Sequence, residues 1–273
     1  MIKKLSPIAL ATSLAIGGMA VPMAASATGG DLSANITVTN NYIWRGLTQT
    51  SNETAFQGGI DYAWENGFYV GTWLSNVSYE QDDVAALAAG ASDDDIAAAQ
   101  AAVQDAFSFE HDLYFGYSGE FGNGVSYDIG YLYYNYDSQA NFDFGEIYGS
   151  IGIGGFSVSL NVLANTEADE AAGQDFGFGE ATYVSLDYTL GLANDLELTF
   201  HFGNHDGDFN NAFNGAGDSY NDYSVSLAKG PFAFTVSDTD VDEGDPDAAF
   251  ATNPALNNQD VRFVISYSMD IDL

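Results

Sequence analysis

From about residue 32 onward, apolar and polar side chains alternate with period two in one segment after another. In Phe156-Ser157-Val158-Ser159-Leu160-Asn161-Val162 every second residue is apolar, and Leu196-Glu197-Leu198-Thr199-Phe200-His201-Phe202 repeats the pattern. Ile265, Tyr267, Met269 and Ile271 do the same close to the C-terminus. Successive side chains of a strand point to opposite faces, so each segment has one dry and one wet face. This reading places strands near 32–45, 55–64, 68–78, 107–120, 125–136, 145–153, 156–164, 179–190, 195–204, 220–229, 232–240 and 260–272.

The connections alternate in length. Short glycine-rich turns (Glu65-Asn66-Gly67, Gly122-Asn123-Gly124, Gly154-Gly155, Gly191 to Asn194, Lys229-Gly230-Pro231) alternate with long polar stretches over 47–54, 79–106, 137–144, 165–178, 205–219 and 241–259. Nothing in a soluble sandwich puts all short turns at one end. A bacterial outer-membrane barrel does, because its two rims face different compartments. In lipid every backbone N–H and C=O needs a partner, and a closed barrel supplies one without leaving an edge. The expected fold is therefore all-β, a membrane-spanning antiparallel up-and-down β-barrel of about 12 strands with short periplasmic turns and long acidic extracellular loops. A secreted β-sandwich is the alternative.

Composition narrows the function. The 273 residues carry 39 acidic and 5 basic side chains, a net charge of -34, and no cysteine. A chain this acidic does not neutralise phosphates, which excludes a nucleic-acid partner. The lack of Cys removes disulfides, thiolate metal sites, Cys nucleophiles and lipid attachment through Cys. The 3 Trp, 17 Tyr and 19 Phe argue against disorder. Lys3 and Lys4, the apolar stretch from Leu5 to Met19 and Ala25-Ser26-Ala27 read as a signal peptide over residues 1–27, leaving 28–273 as the exported barrel. Arg45, Lys229 and Arg262 are then the only cations of the mature chain.

Tyr42-Ile43-Trp44-Arg45-Gly46, Gln57-Gly58-Gly59-Ile60-Asp61-Tyr62 and Gly67-Phe68-Tyr69-Val70-Gly71-Thr72-Trp73-Leu74-Ser75-Asn76-Val77 resemble the N-terminal block of the TorF porin family. Gly130 to Tyr134 and Tyr220 to Val225 resemble later parts of that pattern. The resemblance implies a proteobacterial outer-membrane channel and brings no catalytic residues. The extreme acidity and the long insert at 79–106 depart from the family pattern.

Alternation also gives the wet face. The pore-lining candidates are Arg45, Asp61, Glu110, Asp112, Asp128, Glu146, Asp187, Glu197, His201, Asp222 and Arg262, with Glu120 and Asp270 on the same face. Most are carboxylates, and a ring of carboxylates in a narrow tube attracts cations. Acidity acquired by a halophilic or marine organism to keep its loops soluble is a second source of the same charge. Closure makes the first and last strands neighbours, so Arg45 and Arg262 are expected close together near the outer mouth. There they either form a basic patch opposite the acidic wall or pair with Asp61, Asp260 or a loop acid. Tyr42, Trp44 and Phe56 are expected in the outer aromatic girdle, and Trp64, Phe68 and Phe121 in the inner one.

Three further readings follow. Ser92 with Asp95 resembles a capping box, so a short helix is expected in the 79–106 loop, either constricting the mouth or packing outside it. Asp238, Asp240 and Asp242 alternate as ligands of a hard cation would, but Gly at the sixth position and Glu at the twelfth of a calcium loop are missing. His111, His201 and His205 lie in no nucleophile-elbow or zinc motif, so the sequence points to no enzyme and calls for no cofactor. The sequence thus reads as an outer-membrane channel for small polar solutes, cation-preferring, with lipid and the barrel assembly machinery (through the last strand) as partners. A non-conducting barrel with adhesive, ion-binding or structural loops is the alternative.

Overall fold

A computed structural model describes residues 30–78, 108–137, 142–241, 256 and 258–273. The signal-peptide reading, the helix expected near Ser92 and Asp242 lie outside the described residues. Strands β1 (Asp31–Thr39), β4 (Ala55–Ala63), β5 (Phe68–Asn76), β6 (Phe109–Phe121), β7 (Val125–Tyr136), β8 (Phe144–Ile153), β9 (Phe156–Thr166), β10 (Thr182–Gly191), β11 (Leu196–Asp206), β12 (Ser219–Lys229), β13 (Phe232–Thr239) and β14 (Arg262–Asp272) form one closed barrel. All neighbours are antiparallel, and β1 closes the ring by pairing with both β4 and β14: Ser33 lies opposite Asp61 on one side and Asp272 on the other. The fold class read from alternation is therefore the observed one.

Alternation sets the faces. Along β6, Phe109, Leu113 and Phe115 are exposed while Glu110, Asp112 and Tyr114 are buried. On β8, β11 and β14 Ile151, Phe200 and Phe263 also point out, so the outer surface carries an apolar belt fit for lipid rather than water. Trp64, Phe68 and Phe121 stand exposed at the short-turn end, and Phe56 at the other, as girdle residues should. Tyr42 and Trp44 do not: both are buried inside the barrel.

Inside, tyrosines lie over glycines on adjacent strands. Tyr69 faces Gly116, Tyr148 faces Gly130 and Tyr114 faces Gly71 as direct register partners. A Cβ on Gly116 would come within 2.3 Å of the Tyr69 hydroxyl, so the ring occupies the space that a side chain would need. This packing fills the β5–β8 half of the lumen. Hydroxyl pairs line the opposite half, including Ser159 with Ser185 and Ser226 with Thr235.

The first strand departs from its expected span. It ends at Thr39, and the chain then turns into the barrel instead of reaching residue 45. Ile43–Trp44 (β2) and Leu47–Thr48 (β3) form a two-stranded hairpin inside the barrel, at the end where the long connections lie. Its two-residue turn, Arg45-Gly46, has positive φ at both positions (47° and 81°), the twist that a tight hairpin requires. Between β11 and β12 a short helix, α1 (Asp208–Asn214), also folds inward, burying Phe209.

Candidate functional site: the occluded lumen

The inward hairpin is held mainly by polar contacts to the barrel wall. Arg45 Nη2 donates to Glu146 Oε2 of β8 at 2.5 Å, and Nη1 donates to His205 Nε2 of β11 at 3.1 Å. The guanidinium also lies over the Trp44 and Tyr183 rings, 4.2 and 4.5 Å from their centroids. Burial works against this charge, but Glu146 outweighs it with help from Tyr134 and Tyr183, and the Arg45 pKa is raised. From the other wall Tyr220 donates its hydroxyl to the Arg45 carbonyl at 2.8 Å, and Arg262 donates to the Gly46 carbonyl. Thr48 N–H donates to Asn258 Oδ1 at 3.0 Å. The tip is wedged so closely that a Cβ on Gly46 would lie 2.5 Å from Asp222 Cβ and 2.6 Å from Thr239 Cγ2.

Aromatic packing completes the closure. Trp44 meets Tyr134, Phe144, His205 and Phe213 edge to face at 5.6–6.3 Å, which ties the hairpin to α1 and to β7 and β8. Below it, Tyr69 donates to Asp128 Oδ1 at 2.7 Å and shares a 2.5 Å hydrogen bond with Tyr148, while Tyr114 donates to Asp61.

All eleven expected pore-lining residues are inside, but none of the most buried ones faces open water. Glu110, Asp112, Glu146 and Asp222 sit at 0–3 % exposure beneath or against the hairpin. His201 is flanked by Asp187 (Nδ1 to Oδ1, 2.7 Å) and Asp222 (Nε2 to Oδ1, 2.9 Å), with the Tyr183 hydroxyl 3.0 Å from Nε2. Glu197, Asp187 and Asp128 are only half-buried.

The two arginines do converge at the long-loop end, through the Gly46 carbonyl, but the acid that takes Arg45 is Glu146 from across the barrel. Asp61 is occupied by Tyr114 instead. Sequence reasoning missed the hairpin because Ile43 and Trp44 read as a continuation of strand 1, and Arg-Gly is a weak hairpin signal beside Asn-Gly or Asp-Gly. It also missed α1, although Phe209 and Phe213 stand at helical i, i+4 spacing.

The acidic loop candidates look different in space. Asp240 accepts from the Asn221 backbone N–H (2.6 Å), the Asn221 amide (2.7 Å) and Tyr223, so it fastens β12 to the end of β13. Asp238 accepts from Thr239 N–H. Among the described residues no three His, Asp or Glu side chains converge as a metal cage.

These features define a membrane-spanning β-barrel with a folded-in hairpin closing its lumen. The chain belongs to a family described as a bacterial protein of unknown function, Gcw_chp, whose profile matches residues 23–268. No curated protein matches it. Among solved structures, the NanC porin is similar at 8% identity and a TM-score of 0.47, covering 89% of this chain and 98% of its own. The KdgM porin gives 10%, 0.46, 87% and 99%. The outer membrane phospholipase A of Escherichia coli gives 10%, 0.40, 89% and 97%. Two porins and a phospholipase at such distances assign no activity.

Proposed function

We propose that the protein is a channel of the Gram-negative outer membrane for small polar solutes, with a preference for cations, and that the 40–54 hairpin holds it closed. The observation that carries this is the charge of the interior. Both arginines that face inward are bound to the hairpin or by it, Arg45 neutralised by Glu146 and Arg262 turned to the Gly46 carbonyl and to Asn258. With the hairpin out of the way, the wall presents Asp61, Asp128, Asp187, Glu197, Asp222 and Asp270 and little positive charge, which favours cations over anions in a low-dielectric tube. The resemblance of residues 42–77 to the TorF porin family supports the same reading.

A plug tied to the wall by hydrogen bonds and one ion pair differs from a hydrocarbon core, because water can replace each of its polar contacts once it leaves. A second reading, a barrel that never conducts, is favoured by the tight interior: Ser75, Ser226, Thr235 and Ser237 are at most 2 % exposed. Planar-bilayer recording of the refolded mature chain and of Glu146→Gln separates the two. Stable cation-selective steps from the variant support the channel, and a variant that folds but passes no current supports the closed barrel.

A further inference from the structure

Glu110 and Asp112 are two residues apart on β6 and so share its interior face, where their carboxyl groups interact directly. Tyr42 of the hairpin region donates to Glu110 Oε1 at 3.2 Å. Asp112 is 0 % exposed, and neither of its carboxylate oxygens has a hydrogen-bond donor. A buried carboxylate without a donor or a counter-charge is among the costliest arrangements a protein interior can hold. The described residues supply no cation for the pair. Arg45 is engaged by Glu146, Arg262 by Asn258 and Gly46, and Lys229 is exposed at the short-turn end. His201 stands between Asp187 and Asp222, His205 bonds Arg45, and His111 bonds Thr72 on the outward face.

We propose that Glu110 and Asp112 form an internal binding site for one small hard metal cation, calcium-like in chemistry, seated beneath the inward hairpin. Two carboxylates offer hard oxygen donors and a double negative charge, which a divalent ion neutralises in full. Size selects among cations: with Asp112 at 0 % and Glu110 at 1 % exposure the pair is closed to bulk water, which excludes an organic ammonium and leaves a bare metal ion, smaller than water, as the cation that the two carboxylates would take. The hairpin completes the enclosure through Tyr42, whose ring packs on Trp73 at 5.5 Å. This site goes beyond the channel reading and stands whether or not the barrel conducts.

Terbium(III) is a suitable probe, because Trp73 and Tyr134 are the strand partners of Asp112 and would sensitise its emission. The refolded chain, stripped with a chelator and kept in detergent, is titrated with terbium under Trp excitation, then with calcium in competition. One saturable sensitised site per chain is expected, displaced by calcium and at least tenfold weaker in Asp112→Asn, with folding of each sample checked by its heat-modifiable mobility. Should Asp112→Asn fail to fold, Glu110→Gln gives the same comparison. Emission unchanged in the variant would place the ions on the acidic loops and overturn the site. So would a protonated-carboxyl infrared band in the calcium-saturated wild type that Asp112→Asn removes, since the pair would then hold a shared proton only.

Discussion

Glu146→Gln tests the hairpin most sharply, because it removes a charge and hardly changes shape. In the closed barrel it leaves the Arg45 guanidinium, 3 % exposed, facing a neutral amide. Breaking one side of a buried pair in this way costs about 3–5 kcal/mol, since the remaining charge has lost its water and keeps no counter-charge, only the His205 bond and the Trp44 and Tyr183 rings. That cost falls only on the hairpin-in state, because once the hairpin leaves, water solvates Arg45 in wild type and variant alike. Taking about 3 kcal/mol and a factor of ten for every 1.4 kcal/mol, the hairpin-out population rises by roughly 100- to 200-fold. Trypsin reads this population directly, because Arg45, Lys229 and Arg262 are the only cleavage residues in the described chain. When opening and closing are fast, the cleavage rate tracks the open fraction. Cleavage at Arg45-Gly46 is expected to accelerate about 100-fold in Glu146→Gln, while cleavage at the exposed Lys229, which serves as the internal control, does not change. A folded variant cut at Arg45 no faster than wild type would show that the ion pair does not hold the hairpin.

Three further outcomes are expected. Gly46→Ala forces a Cβ against Asp222 and Thr239 at a positive φ, so it should expel the hairpin and expose Arg45 to trypsin without Glu146 being touched; continued protection would refute the wedge. Trp44→Ala removes the ring that joins Tyr134, Phe144 and Phe213 and should lower stability by about 3–5 kcal/mol, measured as a drop in the urea midpoint of the folded barrel. Leu186→Arg on the outward face of β10 should cost about 2–4 kcal/mol in lipid vesicles, and an unchanged unfolding midpoint would mean that this face does not meet hydrocarbon.

The barrel itself was legible because alternation is a local property that closure preserves. Every strand that spans lipid must be dry on one side, and the observed bounds of β7 coincide with the expected 125–136. The interior face was legible for the same reason, down to Glu110, Asp112 and Glu146. What the loops do was not. Residues 40–45 read as the end of the first strand and 47–54 and 205–219 as polar connections, yet Trp44, Arg45 and Phe209 enter the lumen, where polar and aromatic groups are satisfied by partners far away in sequence, such as Glu146 and Asn258. Period-two patterning carries no information about such long-range pairs. Among the described residues the lumen is constricted by the 40–54 hairpin and α1; the 79–106 loop, expected either to constrict the mouth or to pack outside it, lies outside the described residues.

A cation channel held shut by its hairpin is tested most directly by single-channel recording of wild type and Glu146→Gln in a planar bilayer, with the reversal potential measured under a salt gradient. Rare openings are expected from the wild type, long-lived ones from the variant, and a reversal potential of cationic sign from both. A variant that trypsin shows to be open yet passes no current, or one whose pore prefers anions, would contradict that reading.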